Sequence, residues 1–169
     1  MGSKIISKMK KRQKKSATQD IDVTVKSIAE ELLSLLGVSA QVEVAFDKRE
    51  DVYLVKHYTQ EAALLIGRHG ETLDSLQTII SQIVYKKIGE WKRVLVDTEG
   101  YRDKREEALK SLALETAARV KDTGIEQPIY DLTPSERRVV HLSLSEDESV
   151  ETESVGEGRE RHLLIKPKT

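Results

Sequence analysis

Two glycines three residues apart, Gly67 and Gly70, enclose the basic and ionisable pair Arg68 and His69. An apolar run at 64–66 precedes them, and a strongly periodic segment follows. Gly67 suits the residue after a helix, where a positive φ angle costs glycine little, and Gly70 allows the backbone to re-enter a helix. Backbone N–H groups exposed at such a junction can hold a phosphate. The four residues alone match an inert turn between helices equally well, so their context must decide.

A second pair of chemically capable residues, Arg137 and His141, is spaced four apart and therefore shares one face of a helix. The residues at 133–136 predict the start of that helix, with Thr133 as N-cap and Glu136 completing a capping box. An arginine fork beside an imidazole can hold a phosphate or stack on a base. On spacing alone, the better interpretation is an ordinary surface helix with an incidental Arg and His.

The glycine pair lies within a longer alternation of predicted helices and strands. In order, the patterns predict a helix at 22–36, strands at 41–46 and 52–55, a helix at 61–66, a helix at 73–88 and a strand at 93–97. This αββααβ order, with a three-stranded sheet covered by helices, is the type II KH arrangement, and the loop at 67–70 lies where that fold needs it.

The remainder of the chain predicts a second, smaller α/β unit. It comprises a helix at 101–123, a short piece near Ile129, the helix that carries Arg137 and His141, and strands at 150–155 and 161–166. The sequence therefore predicts an α+β protein in three parts. These are a basic disordered arm at 1–20, a KH domain at 21–99 and a nucleic-acid-binding domain at 100–169.

Composition favours a cytoplasmic protein without membrane insertion. The 169 residues contain no cysteine, so disulfides, thiolate nucleophiles and cysteine metal sites are excluded. No stretch approaches the roughly 20 apolar residues of a membrane span, and no apolar segment follows the basic start as in a secretory signal.

The net charge of −1 conceals an uneven distribution of charge. Seven of the 28 basic residues lie within positions 1–18, which hold no acid, so the rest of the chain has 21 basic and 29 acidic residues, a balance of −8. A basic arm often adds salt-sensitive affinity for nucleic acid. A solubilising tail or a remnant of cloning would have the same composition, and both interpretations stay open.

Four segments in the same order resemble the bacterial Jag family, also called the SpoIIIJ-associated, KhpB or EloR family. They lie at 67–77, 97–102, 136–141 and 151–158, and the resemblance covers about residues 22–167. It implies a KH domain followed by a C-terminal Arg-x-x-x-His (R-three-H) domain, both associated with single-stranded nucleic acid. The resemblance also places the family's KH loop on residues 67–70 and its signature pair on Arg137 and His141.

Pattern and resemblance together predict a cytoplasmic single-stranded RNA-binding protein that is not an enzyme and uses no cofactor or metal. The resemblance implies post-transcriptional regulation linked to cell elongation, division or sporulation. Expected partners are single-stranded RNA, with single-stranded DNA left open, and a small KH-only protein or a second copy. The predicted RNA-binding residues are Leu54, Ile66, Gly67, Arg68, His69, Gly70, Arg137 and His141. Leu65, Ile66 and a sheet residue such as Leu54 are expected to form an apolar groove beside the loop that receives bases.

Two other functions remain in competition with RNA binding. A protein-interaction scaffold is the first, because a body with a balance of −8 is unusual for a dedicated RNA binder. A nuclease is the second and weaker, since His141 with Asp131 or Glu136 forms no carboxylate cluster with metal-binding spacing. The other histidines are interpreted as solvent or loop residues and not as metal ligands.

Overall fold

The computed structural model describes residues 21–168, so the predicted basic arm at 1–20 lies outside the described residues. The chain divides into two compact units, with the boundary between Tyr101 and Arg102. Each unit has its own hydrophobic core.

The first unit has the predicted αββααβ order. Its elements are helix α1 (21–35), strands β1 (Gln41–Asp47) and β2 (Val52–Tyr58), helices α2 (Ala62–Ile66) and α3 (Glu71–Ile88), and strand β3 (Arg93–Thr98). The strands form a sheet in the order β1-β2-β3, antiparallel between β1 and β2 and parallel between β2 and β3. This topology agrees with the predicted α+β, KH-like fold.

Alternation along the strands decides which side chains meet the helices. Tyr53 and Val55 on β2 and Val96 on β3 are buried in the core, where Val55 is paired with Val96 in the register. Leu54 lies between Tyr53 and Val55, so its side chain points to the opposite face of the sheet. There its register partners are Ala45 and Leu95.

Helix α1 ends one residue earlier than its apolar pattern predicts. Gly37 has a φ angle of 73°, and the N–H of Val38 donates to the carbonyl of Leu33 at 3.0 Å, the bond of a Schellman turn. Leu33 and Val38 are buried as a result, whereas Leu36, the last residue of the predicted helix, is 51% exposed. The turn therefore places Val38 in the core and leaves Leu36 exposed to solvent.

The second unit is a three-stranded antiparallel sheet packed with two helices. Its elements are helix α4 (Tyr101–Thr123), strand β4 (Gln127–Ile129), helix α5 (Pro134–Leu144) and strands β5 (Val150–Val155) and β6 (His162–Pro167), in the sheet order β4-β6-β5. Leu109, Ala113 and Val120 of α4 and Val140 of α5 lie in its core. The predicted small α/β unit is therefore present.

His57 is not the solvent or loop residue that the sequence predicts: it lies on β2, as a polar residue inside the core of the first unit. Its side chain has no exposure, and neither ring nitrogen has a hydrogen-bond partner among the described residues. Thr98, its register partner on β3, is equally buried, and its hydroxyl is also unbonded within the described chain. Burial lowers the pKa of His57, and the nearby charge of Asp97 only partly opposes this.

We expect the first unit to lose stability as the pH falls below about 6.5, the ordinary pKa of histidine. Because folding lowers the pKa of His57, the unfolded chain binds the proton more readily, and acidification through this window favours unfolding. His57→Leu should remove this part of the pH dependence and leave stability at neutral pH equal or higher, since two unbonded polar atoms leave the core.

Urea unfolding at about pH 5 and about pH 7 measures this difference, because these pH values lie on either side of the pKa of histidine in the unfolded chain. Hydrogen exchange of the backbone amides in β2 and β3 at each urea concentration follows the first unit. An equal loss of stability in wild type and variant on acidification would contradict the role of His57.

Candidate nucleic-acid interface

Gly67 ends helix α2 in a conformation that only glycine adopts readily. Its φ and ψ angles are 69° and −168°, and its N–H donates to the carbonyl of Ala63 at 3.0 Å. A Cβ at this position would collide with the hydroxyl of Thr72 and lie 2.8 Å from its Cβ. Gly67 is therefore required both by the backbone conformation and by the close approach of α3.

The other end of the loop is also built by residues with positive φ angles. His69 has a φ angle of 51° and Gly70 one of 84°, and Gly70 is the N-cap of the 18-residue helix α3. A Cβ on the buried Gly70 would lie 3.1 Å from the ring of Tyr101. Arg68 is exposed and His69 is half-buried at the tip. We name residues 67–70 the glycine loop.

A turn after β3 places Tyr101 beneath the glycine loop. Glu99 has a φ angle of 54°, and its N–H donates to the carbonyl of His57 at 3.1 Å. Its carboxylate accepts from the N–H of Thr59 at 2.9 Å, and the N–H of Gly100 donates to Asp97 at 2.9 Å. These bonds tie the turn to β2 and so position the tyrosine ring against Gly70.

The apolar residues around the glycine loop differ from the predicted groove. Ile66 is half-buried beside the loop, but Leu65 is a core residue with 1% exposure. Leu54 lies on the opposite face of the sheet, so the structure does not bring it to the loop. Leu64, which the sequence did not single out, is 61% exposed just before the loop. A five-residue helix is too short for periodicity to reveal which leucine faces outward.

Charges near the glycine loop act on a bound anion in opposite directions. The positive end of the α3 dipole and the side chain of Arg68 favour an anion. Glu71 and Asp74 lie in the first turn of the same helix and oppose it. A phosphate would therefore be held by directed N–H groups and by Arg68 more than by a broad positive field.

Arg137 and His141 lie on α5, and each is anchored to a different neighbour. Nη1 of the half-buried Arg137 donates to the carbonyl of Leu132 at 2.7 Å. Nδ1 of the exposed His141 shares a hydrogen bond with the hydroxyl of Thr152 on β5 at 2.5 Å. The two side chains are thus oriented before any ligand binds, and the bond through Nδ1 leaves Nε2 of His141 to meet a ligand.

The predicted capping box at the start of α5 is confirmed. The N–H of Glu136 donates to the hydroxyl of Thr133 at 3.2 Å, and the N–H of Thr133 donates to the carboxylate of Glu136 at 2.8 Å. The other carboxylate oxygen lies 2.7 Å from Nε of Arg105 on α4. Burial acts to raise the pKa of Glu136, but the bonds from Thr133 and Arg105 prevail and lower it. The carboxylate of Glu136 therefore links α4 to α5, the helix that carries Arg137.

The part of the chain that the structure describes offers neither a metal cluster nor a membrane span. Within it, no group of three or more His, Cys, Asp or Glu side chains could hold a metal ion. No helix among the described residues has both the length and the apolar composition needed to cross a bilayer.

Comparison with known families assigns both units. Residues 22–97 match the model of the KhpA/KhpB KH domain, and residues 107–167 match that of the R-three-H domain. These ranges contain both the glycine loop and the Arg137/His141 pair.

Three relatives, each named RNA-binding protein KhpB, are similar to this chain. The protein from Clostridium symbiosum is 35% identical over 80% of this chain and 61% of its own length. The Bacillus subtilis protein is 41% identical over 66% of this chain and 55% of its own length. The Lactiplantibacillus plantarum protein is 34% identical over 85% of this chain and 44% of its own length. The chain thus spans less than two thirds of each of these relatives.

Gly67→Ala should destabilise the first unit by about 2–3 kcal/mol, because alanine would be strained at this φ and ψ and would displace Thr72. Gly89→Ala is a matched control, since Gly89 also has a positive φ angle, 80°, but its Cβ would meet nothing within 4 Å. The control should cost only about 1 kcal/mol. Urea unfolding of both variants measures the difference, and equal losses would contradict the close approach at Thr72.

Glu136→Ala should destabilise the second unit by about 2–3 kcal/mol, because it removes the acceptor for the N–H of Thr133 and the partner of Arg105. Glu136→Gln keeps an acceptor for Thr133 and should lose less. Since the folded state lowers the pKa of Glu136, its contribution is present above the ordinary value of 4.5 and declines as the pH falls below it.

The control for this change is Glu106→Ala, which breaks an exposed ion pair with Lys110 on the same helix α4. An exposed pair at this spacing contributes little to stability, because solvent screens it. Thermal unfolding monitored by circular dichroism compares the three variants. A Glu136→Ala loss no larger than that of Glu106→Ala would contradict the cross-link.

Proposed function

The chain belongs to the family of proteins with KH and R-three-H domains that includes KhpB, and from this premise we propose that it binds single-stranded RNA without catalysing a reaction. The observation that carries the proposal is the conformation of the glycine loop. Its backbone has positive φ angles at Gly67 and Gly70, and it presents Arg68 and His69. Loops of this type clamp the backbone of about four nucleotides in KH domains.

In the KH domain, the phosphate backbone of the RNA lies against the glycine loop. The N–H groups at the start of α3 and the guanidinium of Arg68 hold a phosphate, and His69 stands beside it. Ile66 and the exposed Leu64 offer an apolar contact for a neighbouring base. Leu54 has no part in this groove, because its side chain is on the other face of the sheet.

In the R-three-H domain, Arg137 and His141 form the second contact. Arginine has five N–H donors, and in the described structure the bond to Leu132 uses one of them, so a phosphate can still be held by the fork. The bond to Thr152 fixes the imidazole of His141, which reduces the entropy lost when a base or phosphate binds. Two weak sites on one chain gain affinity through their effective concentration when one RNA reaches both.

An extension of this proposal concerns physiology and rests only on family resemblance. In it, the protein acts in the cytoplasm as a post-transcriptional regulator of cell elongation, division or sporulation. A small KH-only protein or a second copy of the chain is its partner. Deletion of the gene with unaltered cell length, division and sporulation would refute this extension without touching RNA binding.

Arg68→Asp/His69→Asp should weaken binding of a short unstructured RNA at least about tenfold at low salt, because it places carboxylates against phosphate. Arg137→Ala/His141→Ala should also weaken it, by removing the second contact. Fluorescence anisotropy of labelled RNA across a salt series measures both effects. Single-stranded DNA of the same sequence shows whether the sites distinguish the two nucleic acids.

Lys48→Asp/Arg49→Gln is the matched control, because it removes the same net charge from exposed neighbouring residues in the β1–β2 turn. Its effect should be small at moderate salt, where distant charges are screened. Unchanged RNA affinity in the Arg68/His69 variant would refute the loop assignment. Absence of RNA binding by wild type at low salt would leave the interaction scaffold as the better function.

A further inference from the structure

Two exposed aromatic rings lie together at the end of α3 that is opposite the glycine loop. Tyr85 is 51% exposed and Trp91 is 65% exposed. Their ring centroids are 6.0 Å apart, with an angle of 55° between the ring planes. The chain has one tryptophan and only 4% aromatic residues, so this pair is a concentration of a scarce residue type on the surface.

A tight turn between α3 and β3 brings the two rings together. Gly89 adopts a φ angle of 80°, and its N–H donates to the carbonyl of Tyr85 at 2.9 Å. The chain then returns through Trp91 to enter β3 at Arg93. Trp91 is thereby held beside the last turn of α3, so the rings form a surface with a defined position.

The segment that carries the two rings is rich in basic residues. Residues 85–93 contain Lys86, Lys87, Lys92 and Arg93, against the single acid Glu90, which forms an ion pair with Lys92 at 2.9 Å. The segment therefore carries a balance of +3 in a part of the chain that is otherwise acidic. We name Tyr85, Trp91 and these four cations the aromatic–basic patch.

This combination fits single-stranded RNA better than it fits a protein. Exposed rings stack on bases of any sequence, while neighbouring cations hold the connecting phosphates. The centres of protein interfaces are, by contrast, depleted in charged residues, and lysine is depleted there in particular.

We propose that the aromatic–basic patch is a base-stacking site for single-stranded RNA, separate from the glycine loop and additional to it. The inference rests on the proposed function, because it supplies a further contact for the same ligand. Helix α3 is about 27 Å long at 1.5 Å per residue, so the four nucleotides clamped at the loop do not reach the patch. A strand of about eight further nucleotides spans this length when stacked at about 3.4 Å each.

The single tryptophan makes the inference directly measurable. The full chain is titrated with an unstructured RNA of about 16 nucleotides, long enough for loop and patch together. Anisotropy of labelled RNA reports total binding, and emission from Trp91 reports stacking at the patch. We expect the emission to be quenched with the same midpoint as the anisotropy change.

Substitutions separate stacking from simple apolar contact. Trp91→Leu keeps apolar bulk but removes the ring, and it should weaken RNA binding about tenfold, whereas Trp91→Phe should retain most of the affinity. Leu35→Ala, at an apolar residue that is 80% exposed, controls for the loss of exposed apolar surface and should bind as wild type does.

The outcomes distinguish failure of this inference from failure of the proposed function. RNA binding by anisotropy with unchanged Trp91 emission and unchanged affinity of Trp91→Leu would overturn the stacking site and leave RNA binding intact. Absence of any anisotropy change in wild type would overturn both. Emission that depends on protein concentration without RNA would overturn the inference by showing that the patch joins two copies of the chain.

Discussion

The conformation of the backbone between α2 and α3 is the constraint on which the KH unit depends. Three of four consecutive residues, Gly67, His69 and Gly70, have positive φ angles. Glycine adopts such angles at little cost, but at His69 the conformation costs free energy that the surroundings must offset. Thr72 excludes any side chain at Gly67, and the ring of Tyr101 lies against Gly70. The strain is therefore held by packing from α3 and from the segment after β3, and the loop is shaped before a ligand arrives.

In the second unit, an ion pair and hydrogen bonds position the helix that carries the candidate site. The nearly buried carboxylate of Glu136 is tolerated because both of its oxygens have partners. One accepts a hydrogen bond from the N–H of Thr133, and the other accepts one from the guanidinium of Arg105. A buried charge without such partners would be strongly destabilising. Because the pair links α4 to the first turn of α5, it also sets the orientation of the helix that presents Arg137 and His141. Stability and the geometry of the candidate site depend on the same carboxylate here.

Local charge carries more information about this protein than net charge. The chain outside its first 18 residues has a balance of −8, which by itself argues against a polyanionic ligand. The surfaces proposed to meet RNA nevertheless each present cations, at Arg68, at Arg137 and around Trp91. At physiological ionic strength charges act over about 8 Å, so a ligand senses these local groups more than the distant acids. A modest total charge is therefore compatible with RNA binding by directed contacts.

The order of elements and the two principal motifs were determined by the sequence itself. Helical periodicity, strand alternation, the positions of glycine and the capping box at Thr133 are local features, and each was recovered close to its observed place. Only the tertiary structure decided which side chains lie beside the glycine loop. Leu54 and Leu65 were expected beside the loop, yet one lies on the far face of the sheet and the other in the core. The ion pair of Glu136 with a residue 31 positions earlier and the contact of Trp91 with Tyr85 were likewise invisible. The reason is physical: a local pattern fixes which residues share a face, whereas the partner of that face depends on packing between elements that are distant in sequence.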